Sequence, residues 1–215
     1  MAKLQLKFKR GENLKYCSHL DLLRMFTRLV RRSGIPLKYS EGFNPHPKIT
    51  FALPLSVGVT SEGEYLQLDL EREINLISGL KKLSEQCPRG FEIIEGRLTD
   101  RKLPPITKAR YRLNIELSEK FTQEQERMIG DALRGSELIV KKVTKKKESS
   151  VNILEHIHSF NIEAHHNSEI IIKTTLSAGS EFNLNPLLLV EGLKSNVEGF
   201  LPLNIEIHRE ELLFD

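Results

Sequence analysis

Residues 3–36 read KLQLKFKRGENLKYCSHLDLLRMFTRLVRRSGIP, and the change of period inside this stretch decides the fold. Leu4, Leu6 and Phe8 alternate with Lys3, Lys7 and Lys9, which divides a strand into one apolar and one charged face. After Gly11 the period lengthens. Leu22, Leu23, Phe26, Leu29 and Val30 fall three and four residues apart, the spacing of one helical arc. Ser18 stands where an N-cap oxygen is needed, and Asp21 follows three positions later, as in a capping box. Gly34 and Pro36 stop the helix, because glycine accepts the backbone reversal and proline cannot continue the hydrogen-bond ladder.

Working outward, Tyr39 to Lys48 is a loop rich in Gly, Asn and Pro, followed by a strand from Ile49 to Leu53. Pro54 and Gly58 connect it to an alternating strand, Glu64 to Leu70. Ile74, Ile77, Leu80 and Leu83 space a second helix with Gly79 inside it, and Phe91 to Leu98 makes a fourth strand. The order is β-α-β-β-α-β, the ferredoxin-like arrangement. Beyond Pro104 and Pro105 the pattern returns: strand Ala109 to Leu117, helix Thr122 to Leu133, and strands Leu138 to Val143 and Ile170 to Leu176. A helix from Leu184 to Leu193, capped by Asn185 with Pro186 in its first turn, precedes a strand through Leu203, Ile205 and Ile207. Residues 145–166 add room for an extra strand and loop.

The expected class is therefore α+β, with two tandem ferredoxin-like β-α-β-β-α-β modules, each carrying its own antiparallel sheet. Residues 1–98 form the first, 99–107 the linker, and 108–215 the second. A single continuous α+β domain is the alternative.

Composition narrows the function classes. The chain has 215 residues and a formal charge of +3, but the charge is unevenly spread. Residues 1–150 hold 29 basic and 19 acidic side chains, whereas residues 151–215 hold 3 basic and 10 acidic. Such an asymmetry steers polyanions or a protein partner to one side. Charged and apolar residues alternate from Met1 to Arg10, unlike a signal peptide, and no run approaches the apolar length of a bilayer span. The expectation is a cytoplasmic protein with no membrane partner. Cys17 and Cys87 are too few for a disulfide framework, a zinc ribbon or a cysteine-ligated cluster.

Two features carry chemistry. Arg24, Arg28, Arg31 and Arg32 lie opposite the apolar arc of the first helix, and residues 3–48 contain 11 basic against 3 acidic side chains. Guanidinium forks match phosphate oxygens, and multiple phosphate contacts release counterions. Tyr16, Tyr39 and Phe43 are available to stack on exposed bases. A solvated helix face with aromatics in the core accounts for the same residues equally well. The second feature is YSEGFNPHP, Tyr39 to Pro47, followed by Lys48. Here Pro45 and Pro47 restrain the chain around His46, and Gly42 permits a turn, so that Asn44 and His46 are held at a fixed angle. His46 either titrates, binds an anion or a metal, or hydrogen-bonds the loop to hold its shape, the last being the preferred reading. His19, Asp21 and His46 have metal-ligand chemistry but no spacing of a known site, so no metal ligand and no cofactor is assigned. His156 and His158 share a face in an extended segment, whereas His165 and His166 point apart. Neither Leu55 to Gly63 nor Leu176 to Gly179 matches a phosphate-cradling loop, which disfavours an ATPase or Rossmann enzyme.

YCSHLDL from Tyr16 to Leu22, the arginines through Arg32, Ile35 and Pro36, and YSEGFNPHPK from Tyr39 to Lys48 strongly resemble a bacterial radical-SAM-associated domain family of unknown function. PLSVG, Pro54 to Gly58, with Glu64 and Tyr65, extends the resemblance over nearly the whole chain. Members occur as separate proteins or fused to radical SAM enzymes. The resemblance implies association with a radical SAM protein or its substrate, in RNA-related metabolism. The chain lacks the three-cysteine cluster motif of the enzymatic partner, so it is not expected to generate the radical itself. The expectation is an accessory module, noncatalytic alone, that binds or presents an RNA-related substrate. The alternatives are a protein-interaction scaffold and an independent enzyme using His19, Asp21 and His46. The candidate functional surface comprises His19, Asp21, Arg24, Arg28, Arg31 and Arg32 on the helix, with Tyr39, Phe43, Asn44, His46 and Lys48 on the loop.

Overall fold

The computed structural model describes residues 2–143 and 148–215. The strands are β1 (Lys3–Arg10), β2 (Ile49–Phe51), β3 (Thr60–Asp69), β4 (Phe91–Thr99), β5 (Ile106–Leu117), β6 (Ile139–Val143), β7 (Glu148–Asn152), β8 (Ile157–His166), β9 (Glu169–Ser177) and β10 (Pro202–Phe214). The helices are α1 (His19–Ser33), α2 (Leu76–Ser84), α3 (Gln123–Arg134) and α4 (Pro186–Asn196). Among the described residues no helix is long and apolar enough to cross a membrane.

The sheet corrects the expectation of two tandem modules with separate sheets. Seven strands run in the order β4-β1-β3-β10-β5-β9-β8, with β2 joined to β3 as the eighth, and β6 and β7 form a second, two-stranded sheet. The cause is β10. The strand expected through Ile207 continues to Phe214, and it has neighbours on both sides, β3 and β5. Pairing on both sides satisfies backbone groups that two separate sheets would leave on exposed edges. The chain divides into two compact units, residues 1–106 with 209–215 and residues 107–208.

In the first unit β1 pairs antiparallel with both β3 and β4, and Leu4, Leu6, Leu66 and Leu68 bury their side chains on one face. Helix α1 covers that face with Leu22, Phe26, Leu29 and Val30, each at most 4% exposed. Phe8 stacks on Phe91, with ring centroids 4.7 Å apart. Gly34 takes φ 70°, the left-handed conformation that ends α1 cheaply in glycine. Gly79 sits inside α2 because a Cβ there would lie 2.9 Å from the side chain of Ile74, so a packing contact offsets its poor helix propensity. The helix-free face is polar and tied together: Lys3 to Asp69 at 2.9 Å, Gln5 to Gln67 at 3.2 Å and Arg97 to Gln5 at 2.8 Å. The segment after β4 crosses it, with Leu103 donating its N–H to Gln67.

In the second unit β5 pairs with β9 and β9 with β8, all antiparallel. Thr122 and Gln125 form a capping box at α3, and Asn185 accepts from the Leu187 N–H at the start of α4. The expected irregular stretch 145–166 contains β7 and β8, while residues 144–147 lie outside the described residues.

Candidate functional site

The alternation of β1 runs one residue further than its apolar members. Arg10 shares the parity of Leu4, Leu6 and Phe8, points to the same face and is 1% exposed. Its guanidinium donates to the carbonyl oxygens of Cys17 at 2.7 Å, Lys15 at 2.9 Å and Leu14 at 3.1 Å. A buried cation therefore organises the turn that leads into Ser18 and α1. Beside it, Glu64 accepts both Nε and Nη2 of Arg209 at 2.7 and 2.6 Å, and the Ser61 hydroxyl at 2.7 Å. Glu64 shares the parity of Leu66 and Leu68 on β3.

At the head of α1, Ser18 Oγ accepts from the Asp21 N–H at 3.2 Å and donates to the Asp21 carboxylate at 2.7 Å. That second bond, ahead of the charge of Arg24, holds the Asp21 carboxyl below its ordinary pKa. The four arginines of the outer face are not equivalent. Arg24 meets Asp21 at 3.4 Å, Arg31 donates to the Tyr39 hydroxyl at 3.3 Å, and Arg32 donates to Gln86 Oε1 at 3.2 Å. Arg28 is exposed and makes no hydrogen bond or ion pair among the described residues. Thus Arg31 and Arg32 anchor the loop and the end of α2, whereas Arg24 and Arg28 are offered to solvent.

The loop is closed at its base by a backbone bridge between Tyr39 and Pro47. The Ser40 N–H donates to the His46 carbonyl at 2.9 Å, the His46 N–H donates to Ser40 Oγ at 3.0 Å, and Ser40 Oγ lies 2.9 Å from His46 Nδ1. His46 thus closes a small ring of contacts within its own loop. Gly42 adopts φ 120° at the tip, and beside it Phe43 is fully exposed and Asn44 exposed. Lys48 joins the loop to the sheet, its carbonyl accepting from the Asp69 N–H at 3.1 Å.

His19 packs edge-on against Phe51, with centroids 5.4 Å apart, and lines a seam too tight for a water molecule with Phe8, Arg10, Phe51 and Glu64. Asp21, Asn44 and His46 do not line that seam. No group of three or more His, Cys, Asp or Glu side chains among the described residues is arranged to hold a metal ion. His156 and His158 do converge, but on a hydroxyl: their Nδ1 and Nε2 atoms lie 3.3 and 2.9 Å from Ser177 Oγ. His156 also stacks on Phe182 at 3.5 Å.

The burial of Arg10, Glu64 and Arg209 was not among the expectations from sequence. The available signal was parity, since Arg10 and Glu64 each continue an inward-facing apolar series.

The family model described as "Uncharacterized protein conserved in bacteria (DUF2344)" matches residues 3–186. No curated protein matches the chain. Among solved structures, a chain of a Cbf5-Nop10-Gar1 complex superposes with a TM-score of 0.53 and 8% identity, over 98% of this chain and 48% of that one. A chain of an H/ACA RNP bound to a substrate RNA containing 2'-deoxyuridine gives 0.49, with 10% identity, over 97% of this chain and 46% of that one. A chain of an archaeal box H/ACA sRNP Nop10-Cbf5 complex gives 0.48, with 11% identity, over 97% and 46%. At 8% identity the first of these is a likeness of fold, and the chain spans about half the length of the solved chains it matches.

Proposed function

The chain belongs to this bacterial radical-SAM-associated family, and from that premise we propose that it is an accessory module, noncatalytic alone, which binds an RNA-related substrate for a radical SAM enzyme. The observation that carries this reading is the exposed pair Arg24 and Arg28 on α1, together with two aromatic rings left open to solvent in the segments before and after the helix. Tyr16 is 74% exposed and Phe43 fully so. Arginines without a buried task present forks for phosphate oxygens, and bare rings offer stacking surfaces for unpaired bases. This combination suits single-stranded or loop RNA better than a duplex, whose bases are already stacked.

A protein-interaction reading draws on a different observation. Leu20 is 60% exposed in the first turn of α1 and gives that end of the helix an apolar contact. Such a contact fits a protein partner, with the arginines as its polar rim.

The test is binding of single-stranded and hairpin RNA across a salt series by the wild type and by the Arg24→Glu/Arg28→Glu protein, with circular dichroism as the folding control. The RNA reading expects log K to fall linearly with log salt and the double variant to bind at least tenfold more weakly with a shallower slope. Salt-independent binding, or identical wild-type and variant curves, transfers the surface to the protein partner.

A further inference from the structure

A cleft of about 330 Å³ lies on the helix-free face of the first unit, away from α1. That volume is at the lower end of the range occupied by small-molecule sites. Gln5 and Lys7 of β1, Tyr65 of β3, and Glu95 and Arg97 of β4 line it. They share the face because Gln5 pairs with Arg97, and Lys7 with both Glu95 and Tyr65, in antiparallel register. Leu103, Pro104 and Phe214 complete the lining, and the Phe214 ring meets Tyr65 edge-on at 4.9 Å.

The lining divides into groups already engaged and groups left over. Gln5 is spent: it bonds Gln67, the Arg101 carbonyl and Arg97 Nε. Lys7 is bound to Glu211 at 2.6 Å, and Tyr65 donates its hydroxyl to the same carboxylate at 2.9 Å. What remains is the Glu95 carboxylate and the two terminal nitrogens of Arg97, none of which has a partner among the described residues. One strand therefore presents an acceptor pair and a donor pair two residues apart, next to two aromatic rings.

A flat molecule carrying adjacent acceptors and donors on one rim completes this arrangement. Guanine does so: O6 and N7 accept from an arginine fork, while its N1–H and exocyclic amine donate to a carboxylate. Adenine offers a donor at the position where guanine has O6, and neither pyrimidine has both edges. With Arg97 and Glu95 both in the lining and Lys7 already neutralised by Glu211, the cleft suits a nearly neutral base and gives no purchase for a polyphosphate.

We propose that this cleft is a binding site for a guanine base, held by Arg97 and Glu95 and packed against Tyr65, Phe214, Leu103 and Pro104. The base comes either from a free nucleotide or from a single unpaired residue of RNA. The site stands independently of the arginine ridge on α1.

The experiment titrates the full chain with GMP, AMP, CMP and UMP by calorimetry, and with short unstructured RNA oligomers carrying one G or none. Expected is GMP binding at least tenfold tighter than the other three, with Arg97→Met and Glu95→Gln each removing the preference. Both residues are exposed, so the variants fold, and circular dichroism verifies this. Preference for G only within the oligomer, again lost in both variants, assigns the site to an RNA residue and supports the proposal equally. The Arg24→Glu/Arg28→Glu protein is expected to keep its GMP affinity, so failure of the ridge reading leaves this one standing. The proposal is overturned if neither GMP nor the G-containing oligomer binds at millimolar concentration, if neither the nucleotides nor the oligomers show a preference for G, or if either variant keeps that preference.

Discussion

The Arg209 guanidinium holds both carboxylate oxygens of Glu64, at 2.7 Å from Nε and 2.6 Å from Nη2, with the two side chains 2% and 4% exposed. The partners are 145 residues apart in sequence, and the pair fixes the C-terminal part of β10 to β3. Breaking a buried pair strands one charge, which costs about 3–5 kcal/mol, whereas replacing both with apolar groups is often nearly neutral. Glu64→Gln and Arg209→Met are each expected to lower the urea midpoint sharply, and Glu64→Leu/Arg209→Met to recover most of it. Equal losses in the single and double variants would show that the pair is not the source of the effect.

Gly63 on β3 lies against the backbone of β10. A Cβ there would stand 2.5 Å from the Glu210 carbonyl oxygen and 2.6 Å from Glu211 Cα, both backbone atoms that cannot rotate away. Gly63→Ala is expected to destabilise by about 1–3 kcal/mol through forced backbone displacement. Amide exchange localises the effect: protection should fall first at residues 209–214.

The arginines of α1 divide by task, and paired variants separate the two roles. Arg28→Ala is expected to leave thermal stability within about 0.5 kcal/mol of wild type while lowering RNA affinity and its salt slope. Arg32→Ala, which loses the bond to Gln86, is expected to lower the melting temperature slightly with a smaller loss of affinity. Thermal melts and filter binding on the same preparations check both.

Burial raises the Cys87 thiol to about 11, and its Sγ donates to the Leu83 carbonyl at 3.4 Å. At pH 8 roughly one Cys87 in a thousand is the reactive thiolate. Alkylation of Cys87 in the native protein, followed by mass spectrometry, is expected to be slow and to quicken about tenfold per pH unit up to pH 10. Rapid labelling at pH 7 would contradict the buried position.

Burial first, and then the charges of Lys108 and His156, lower the pKa of His158 below its ordinary value of 6.5. The unfolded chain then binds the proton more readily than the folded one, so stability increases with pH through this window. The contribution is fully present above pH 6.5 and is lost as pH falls toward the depressed folded value. Urea midpoints measured from pH 7.5 to 5 should decline in the wild type, and the decline should be shallower in His158→Gln.

Local order determined much of what the sequence revealed by itself. Ser18 and Gly34 bounded α1, Asn185 and Pro186 began α4, and the alternation of Leu4, Leu6 and Phe8 marked a strand, because caps and periodicity act between residues close in the chain. The outward face of α1 was legible for the same reason. Tertiary structure alone decided that one sheet spans the fold, since the apolar alternation ends at Ile207 and only the pairing with β3 carries β10 on to Phe214, where Lys7 and Tyr65 bond Glu211. It alone separated Arg28, open to solvent, from Arg32, bound to Gln86 across 54 residues. It also brought Arg97 and Glu95 beside Tyr65 and Phe214 in one cleft. Strand pairing and long-range ion pairs join residues from distant parts of the chain, and no local pattern encodes which of them will meet.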